Sequence, residues 1–432
     1  MPRINSLAPA IPAESYISPD WVRQEKARLW PKVWQMACRE EEISEPNSFY
    51  TYEIADESIT IVRRPDMTLG AYFNVCAHRG RRLTEGCGKM KRFHCRFHGW
   101  QWDLQGKPAV VVDRNDWGDA LQDEEISLMP VRVGSWGGWI YVNMDPDAES
   151  LESFLEPAKS MLDPFEFEKM RYAWHKQTIL PCNWKVILGA FNEGYHTQTT
   201  HPQLLPHYND FTYSKAYGRH SMFGATQDGL FGQPSPRLAK PERDLRMGLH
   251  AFNQEIWDTL NAITSEEALR AGERLMELPE DADAMTIYAA FDQFHREESS
   301  KNGTPWPDIT FEQVMAAGTD WHIFPNMIFL PTPTTVLGYR ARPNGDDPDS
   351  CIFEVYSLQR YKEGEAPNVK LEEADHRSPE WRKILSQDFD NVGEIQKGMK
   401  SQGFRGARPS PVQEQAIINF HAALDGYVGK PA

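Results

Sequence analysis

Cys76-Ala77-His78-Arg79-Gly80 and Cys95-Arg96-Phe97-His98-Gly99-Trp100-Gln101-Trp102-Asp103-Leu104-Gln105-Gly106 decide the reading of this chain. Together they give the spacing C-x-H-x16-C-x2-H. Each half is a short loop that offers one thiolate and one imidazole, both soft or borderline metal ligands. Gly80 and Gly99 follow the ligand pairs, where a tight loop turn needs a permissive backbone. Either half alone reads as ordinary residues. Two halves at close range, inside a run of short strands, do not.

Zinc held by two Cys and two His is one reading, but zinc fingers group Cys with Cys and His with His. In a Rieske [2Fe–2S] centre one iron takes two Cys and the other two His. Mixed loops suit that centre, because each gives one ligand to each iron. The two stretches resemble the two Rieske loops, with Cys76, His78, Cys95 and His98 as the cluster ligands. A cluster of this kind moves electrons and activates no substrate, so an enzyme built on it needs a second site.

Working outward, residues 18 to 35 read as mainly helical, with Trp21, Ala27, Trp30 and Trp34 near helical spacing and Pro31 kinking the helix or ending it early. Residues 36 to 145 shorten into strands at 49–54, 58–63, 69–76, 131–133 and 138–142, a small all-β unit. Pro146 to Ser150 closes it. Residues 241 to 298 are rich in helix formers. Strands return at 327–330, 334–340 and 352–358, and helices follow at 378–401 and 411–428.

The second constellation is Glu193-Gly194-Tyr195-His196, then Thr197-Gln198-Thr199-Thr200-His201, with spacing E-x2-H-x4-H. Five residues apart, His196 and His201 fall on different sides of a regular helix. A helix ending near His196 and followed by a loop turns both onto one metal. Two imidazoles and a carboxylate make the facial triad of non-haem Fe(II) oxygenases. The carboxylate has candidates in Glu372, Glu373, Asp375, Asp388, Asp390 and Glu394. Asp388 shares a helical face with Val392 and Ile395 and is preferred as the inward acid, whereas Asp390 and Glu394 lie on another face. Taken alone, a His pair in a polar stretch is more often structural; the cluster signal upstream reverses that, because its electrons need a destination.

These residues together resemble the α subunit of Rieske non-haem iron oxygenases, the ring-hydroxylating family. The resemblance runs through both loops, Asn183-Trp184-Lys185, the E-G-Y-H-x4-H segment, Phe324-Pro325-Asn326-Met327 and the late helix with Asp388. It implies an α+β fold: a small all-β Rieske domain inserted near the N-terminus of a larger mixed catalytic domain. That domain has an antiparallel sheet flanked by helices, of the helix-grip or START-like kind. The expected boundaries are 1–40 for an N-terminal helical segment packing with the catalytic domain, 41–155 for the Rieske domain and 156–432 for the catalytic domain. Implied cofactors are one [2Fe–2S] cluster and one mononuclear non-haem Fe(II), with NAD(P)H used indirectly through a reductase, with or without a ferredoxin. A head-to-tail trimer is implied, with or without a small β subunit. In it Glu193 bridges His98 of one chain to His196 of the next. The commonest pattern has Asp at that place; Glu is one methylene longer and occurs in branches resembling carnitine-demethylating oxygenases. An Asn often found shortly before the bridge is replaced by Gly189 and Ala190, with Asn192 nearby.

The expected activity is hydroxylation or dihydroxylation of an aromatic or polycyclic apolar substrate by O2, in aromatic hydrocarbon catabolism. The alternative is a monooxygenase that demethylates or hydroxylates a polar substrate, a methoxyaromatic acid or a quaternary amine. A cluster-bearing carrier or zinc-stabilised module without oxygenase activity leaves His196, His201 and Asp388 unexplained. Phe211, Tyr213, Phe223, Leu230, Phe231 and Phe252 are candidate pocket residues.

Composition excludes other classes. With 46 Lys and Arg against 62 Asp and Glu, the net charge of −16 disfavours a nucleic-acid or anionic-membrane binder. A local basic patch of Arg79, Arg81, Arg82, Lys89, Lys91 and Arg92 surrounds the loops and is a candidate docking face for an electron donor. Six Cys in 432 residues are too sparse for a disulfide framework. No apolar run approaches a membrane span and no secretory signal is recognisable, so a cytoplasmic location is expected.

Overall fold

The computed structural model describes residues 10–225, 231–239 and 243–429. Its contacts divide the chain into two compact units, Gln24–Phe154 and the remainder, Met1–Arg23 with Leu155–Ala432.

The smaller unit is built of short antiparallel strands. One sheet pairs Ser48–Ile54 with Glu57–Arg63 and with Cys87–Lys89, and Leu69–Phe73 joins the far side of Glu57–Arg63. A second pairs Gln35–Arg39, Trp139–Asn143 and Arg132–Trp136. A third, Phe93–His94, Gln101–Trp102 and Pro108–Val110, carries the second ligand loop at its first turn. The loops hang on a small aromatic core in which Tyr72, Phe93, Trp100 and Trp102 pack around Cys76 and Cys95. Trp102 is fully buried, and its indole N–H reaches the Ile126 carbonyl at 2.7 Å, which satisfies the one polar atom it takes inside.

The helix expected over 18–35 is shorter. Pro19–Gln24 is α-helical, Glu25–Leu29 widens into a π turn, and Gln35 already starts a strand. Trp21, Trp30 and Trp34 are buried as their spacing suggests, but Ala27 faces solvent. The π turn resets the helical phase, so one face does not continue through it.

The larger unit is organised by one eight-stranded sheet. Its order is Thr212–Tyr217, His220–Ala225, Asp320–Ile323, Met327–Pro331, Thr335–Asn344, Asp347–Gln359, Arg171–Leu180 and Glu372–Glu373. All neighbours are antiparallel except the last, which is parallel to Arg171–Leu180. Helices pack on it, among them Trp184–Ala190, Leu245–Thr259, Glu266–Arg274, Ala284–Asn302, Arg382–Met399 and Gln415–Val428. This is the expected sheet-and-helix catalytic domain. The strand Arg171–Leu180 was not anticipated. It carries His175 inside, beside buried Glu354, which also pairs with Arg340 and Arg342. A charged network buried in mid-sheet breaks the apolar alternation by which strands are recognised. Among the described residues no helix is long and apolar enough to cross a membrane.

Candidate metal centres

In the smaller unit the two ligand loops are built alike. Gly80 N–H donates to the Cys76 carbonyl at 2.9 Å and Cys76 N–H to the Arg81 carbonyl at 2.8 Å. Gly99 N–H donates to the Cys95 carbonyl at 3.0 Å and Cys95 N–H to the Trp100 carbonyl at 2.9 Å. Both glycines hold positive φ, +76° and +78°, which explains their place in the sequence. Asn74 pins the first loop: its Oδ1 accepts from the Leu83 and Thr84 amides, and its Nδ2 donates to the Thr84 carbonyl, each at 2.9 Å.

The loops bring Cys76, His78, Cys95 and His98 together. The two thiols are within hydrogen-bonding reach of each other. The two imidazole centroids lie 4.5 Å apart, and Trp100 stacks on His78 at 4.8 Å. Burial, then the neighbouring His98 and Arg79, pull His78 below the usual imidazole range. The Nδ1 atoms of both rings are buried without a hydrogen-bond partner among the described residues. Orphaned buried nitrogens are uncommon; two beside a pair of thiols fit the ligand set of a [2Fe–2S] cluster with two Cys and two His. Around them Arg79, Arg81, Arg82, Lys89, Lys91 and Arg92 are all exposed; Arg82 pairs with Glu53 at 3.2 Å.

In the larger unit, helix Trp184–Ala190 starts at Asn183, whose side chain accepts from the Lys185 amide. It stops well short of His196, not near it as expected. A second single turn, Thr197–Thr200, then separates the two imidazoles, with His196 before its first residue and His201 after its last. That short turn resolves the spacing: each ring projects from an end and neither must share a helical face.

Asp388 comes from helix Arg382–Met399 and is buried. Its Oδ1 lies 3.0 Å from His201 Nε2 and 3.6 Å from His196 Nε2. One ligand atom from each of the three residues falls within 4.8 Å of the others. The other nitrogen of each ring is held from behind. His196 Nδ1 donates to Glu193 Oε1 at 2.7 Å, and His201 Nδ1 to Gln387 Oε1 at 3.0 Å. Those bonds select the tautomer that turns both Nε2 lone pairs inward. Asp388 Oδ2 is buried without a hydrogen-bond partner among the described residues. Burial opposes charge on His196, yet the hydrogen bond and charge of Glu193, with Asp388 and Glu414, raise its pKa to about 9. The arrangement attracts positive charge and fits a divalent iron on two His and one carboxylate.

The other acids considered, Glu372, Glu373, Asp375, Asp390 and Glu394, are all exposed. Of the two residues expected to share the inward face of Asp388, Val392 is buried with it, whereas Ile395 is 42% exposed. The buried stripe runs through Ile384, Leu385, Phe389, Val392 and Gln396. Asp388 sits on its flank, so the residue two turns on passes out of contact. Gln387 was not anticipated; its only sequence signal is its place beside the acid.

A cavity opens onto the triad. The sheet wall holds Phe223, Asp320, Leu330 and Tyr339, and the other side holds the bridged pair Tyr208 and Phe231 with Phe252, Ile256 and Leu260 from helix Leu245–Thr259 and its C-cap. Phe223, Phe231 and Phe252 line it as expected. Phe211 does not: it lies under the Arg237 guanidinium at 4.7 Å. Tyr213 is 37% exposed instead. Leu230 lies outside the described residues. Asp320 was overlooked, although strand alternation two residues before His322 aims it at one sheet face.

Residues 33–115 match the family model of the Rieske [2Fe-2S] domain, and residues 165–430 match that of the ring hydroxylating alpha subunit (catalytic domain). The chain is 32% identical over 246 residues to a carnitine monooxygenase oxygenase subunit of Escherichia coli (strain K12), covering 56% of this chain and 64% of that protein. It is 29% identical over 191 residues to a benzene 1,2-dioxygenase subunit alpha of Pseudomonas putida, covering 43% of this chain and 42% of that one. These matches therefore span less than two thirds of either relative. Among solved structures, the quaternary ammonium Rieske monooxygenase CntA with L-carnitine superposes with a TM-score of 0.66 at 20% identity, covering 98% of this chain and 96% of that chain. Naphthalene 1,2-dioxygenase with indole bound superposes at 0.64 and 17% identity, covering 98% and 92%.

Proposed function

Because the chain belongs to the ring-hydroxylating α-subunit family and carries a Rieske domain ahead of its catalytic domain, we propose that it is a terminal oxygenase that hydroxylates or dihydroxylates an aromatic or polycyclic apolar substrate. Electrons come from NAD(P)H through a reductase, with or without a ferredoxin. The observation that carries this reading is the apolar, aromatic-walled cavity ending at His196, His201 and Asp388. When bound, the cluster supplies single electrons and the mononuclear Fe(II) activates dioxygen.

The chain's residues do the rest. Cys76, Cys95, His78 and His98 hold the cluster, and His196, His201 and Asp388 hold the iron. Glu193 and Gln387 keep both imidazoles in one tautomer. Phe223, Phe231, Phe252 and Leu330 exclude water and hold the substrate's apolar body beside the triad. In a homotrimer, with or without a small β subunit, Glu193 links His196 to His98 of the neighbouring copy. The exposed arginines and lysines near the loops suit an acidic electron donor.

A second reading, monooxygenation of a polar substrate such as a quaternary amine, is favoured by the similarity to carnitine monooxygenase subunits. It draws on the same rings as a cation–π surface.

The test is iron and acid-labile sulfide analysis with EPR of dithionite-reduced protein, alongside a His196→Ala variant. The expected result is a Rieske signal, about three irons per chain, and selective loss of the mononuclear iron in the variant. Zinc without sulfide overturns the reading. Substrate-dependent NADH and oxygen consumption with an added reductase then separates the two substrate classes.

A further inference from the structure

The cavity holds one carboxyl that the iron site does not use. Asp320, on strand Asp320–Ile323, is 1% exposed and lines the cavity wall. Neither of its carboxyl oxygens has a hydrogen-bond partner among the described residues. Its cross-strand neighbour is Phe223, and Leu330 and Tyr339 share its side of the sheet. Burying a carboxyl with nothing to bond is costly, so a bound donor that reaches it gains more than one meeting a satisfied group. Burial alone holds its carboxyl well above the usual range, as expected where no protein donor compensates.

The charge of the cavity narrows the missing partner. Its charged or titratable lining residues are Glu193, His196, His201, Tyr208, Asp320, Tyr339 and Asp388; among the described residues no Lys or Arg lines it. Away from the triad and its iron, an anionic substrate finds no counter-charge on the cavity wall. The aromatic rings of Tyr208, Phe231 and Phe252 cluster at centroid distances of 5.4, 4.7 and 6.1 Å, a surface that accepts flat apolar bodies and cations alike.

We propose that Asp320 is the specificity-determining carboxyl of this cavity, and that the substrate is an aromatic or apolar body bearing an amine whose N–H is donated to it. The amine enters as its ammonium ion, the neutral acid gives up its proton to the buffer, and a carboxylate–ammonium pair forms with one proton released per amine bound. A quaternary ammonium has no N–H and leaves both oxygens unbonded. A hydrocarbon leaves them as they are in the free protein. The proposal rests on the oxygenase reading only in taking the cavity beside the triad as the substrate cavity.

The experiment is calorimetric binding to the iron-loaded, anaerobic protein of one-, two- and three-ring aromatic skeletons. Each skeleton is supplied as its aminomethyl, hydroxymethyl, methyl, carboxylate and trimethylammoniomethyl derivative. For at least one skeleton the amine is expected to bind about ten- to a hundredfold tighter than its methyl counterpart, the range of a hydrogen bond to a charged group. Asp320→Leu is expected to abolish that preference while binding the methyl compound no more weakly, and Asp320→Asn to fall between. Absence of an amine preference for every skeleton overturns the proposal. So does a preference that survives in Asp320→Leu, or a trimethylammonium derivative that binds as tightly as the amine. Melting temperatures check folding: Asp320→Leu, which removes an unbonded carboxyl, is expected to be at least as stable as the parent. Iron, sulfide and the EPR signal of the same preparations report separately on the oxygenase reading, so the two readings fail independently.

Discussion

Gln387 accepts the Nδ1 hydrogen of His201 at 3.0 Å, and the next residue, Asp388, faces the other nitrogen of the same ring at 3.0 Å. One helical turn thus grips an imidazole from both sides. Gln203 donates to the same Gln387 oxygen at 2.7 Å and fixes its amide orientation.

Gln387 is therefore expected to govern iron retention without touching the iron. Gln387→Leu should weaken iron affinity by about 10- to 100-fold, the usual loss when such a partner is removed. Chelator competition followed by iron analysis measures it. The reduced cluster signal serves as an internal control, because Gln387 lies outside the cluster's unit. An unchanged affinity would mean that Asp388 alone orients His201.

The paired glycines allow a cleaner comparison. Gly80 and Gly99 both hold positive φ, but a Cβ on Gly80 meets nothing within 4 Å, whereas one on Gly99 meets Val112 Cγ2 at 3.2 Å. Gly80→Ala should cost the backbone penalty alone, about 1 kcal/mol. Gly99→Ala should cost that and the displacement of Val112. Cluster content at rising temperature, read by visible absorption, should rank parent, Gly80→Ala, Gly99→Ala. Equal losses in the two variants would show that Val112 yields freely.

These sites differ in how far the sequence exposes them. The cluster loops are legible because each ligand pair, its glycine and its closing hydrogen bonds lie within six residues. The His pair is legible for the same reason. Its supports are not: Asp388 arrives from a helix far down the chain, marked only by its place on a half-apolar face, and Gln387 is marked only by standing beside it. Asp320 was hidden because a lone acid between Thr319 and Trp321 resembles a loop residue until the sheet register is known. The strand Arg171–Leu180 was hidden by the charged residues that the sheet buries and neutralises.

That buried network is expected to be sensitive to truncation. Glu354 takes the His175 ring at 2.8 Å and the Arg340 Nε at 3.2 Å, all three residues being buried. Burial pushes its carboxyl up, but Arg340, then His175 and Arg342, hold it well below the usual range. Glu354→Ala leaves a buried guanidinium uncompensated and should cost about 3–5 kcal/mol, measured by denaturant unfolding. Replacing Glu354 and Arg340 together by apolar residues should recover much of that loss. If the double variant is as unstable as the single one, the sheet needs the pair for more than its charge.

Acid sensitivity should come from buried imidazoles as well. Burial lowers His295 to about 4 although Glu267 opposes it, and lowers His322 and His421 each to about 3. His295 Nε2 sits between the Ser265 and Thr334 hydroxyls at 3.4 and 3.3 Å, which serve a neutral ring. A depressed folded pKa means that the unfolded chain binds more protons between the two values, so stability rises with pH across that window. The three groups hold their full contribution above the unfolded histidine value of about 6.5, and lose it progressively as the pH falls toward 4 and below. For His295 alone the loss is of order 3 kcal/mol by pH 4. Glu354 adds its own loss at lower pH, below the unfolded carboxylate value, as its ion pairs are protonated away. The measurement is the free energy of unfolding in urea between pH 7 and 4.5, for the parent and for His295→Gln. The parent should lose stability steadily through this range, and the variant should show a shallower slope by up to one proton. Equal slopes would place His295 outside the acid transition and leave His322 and His421 to carry it.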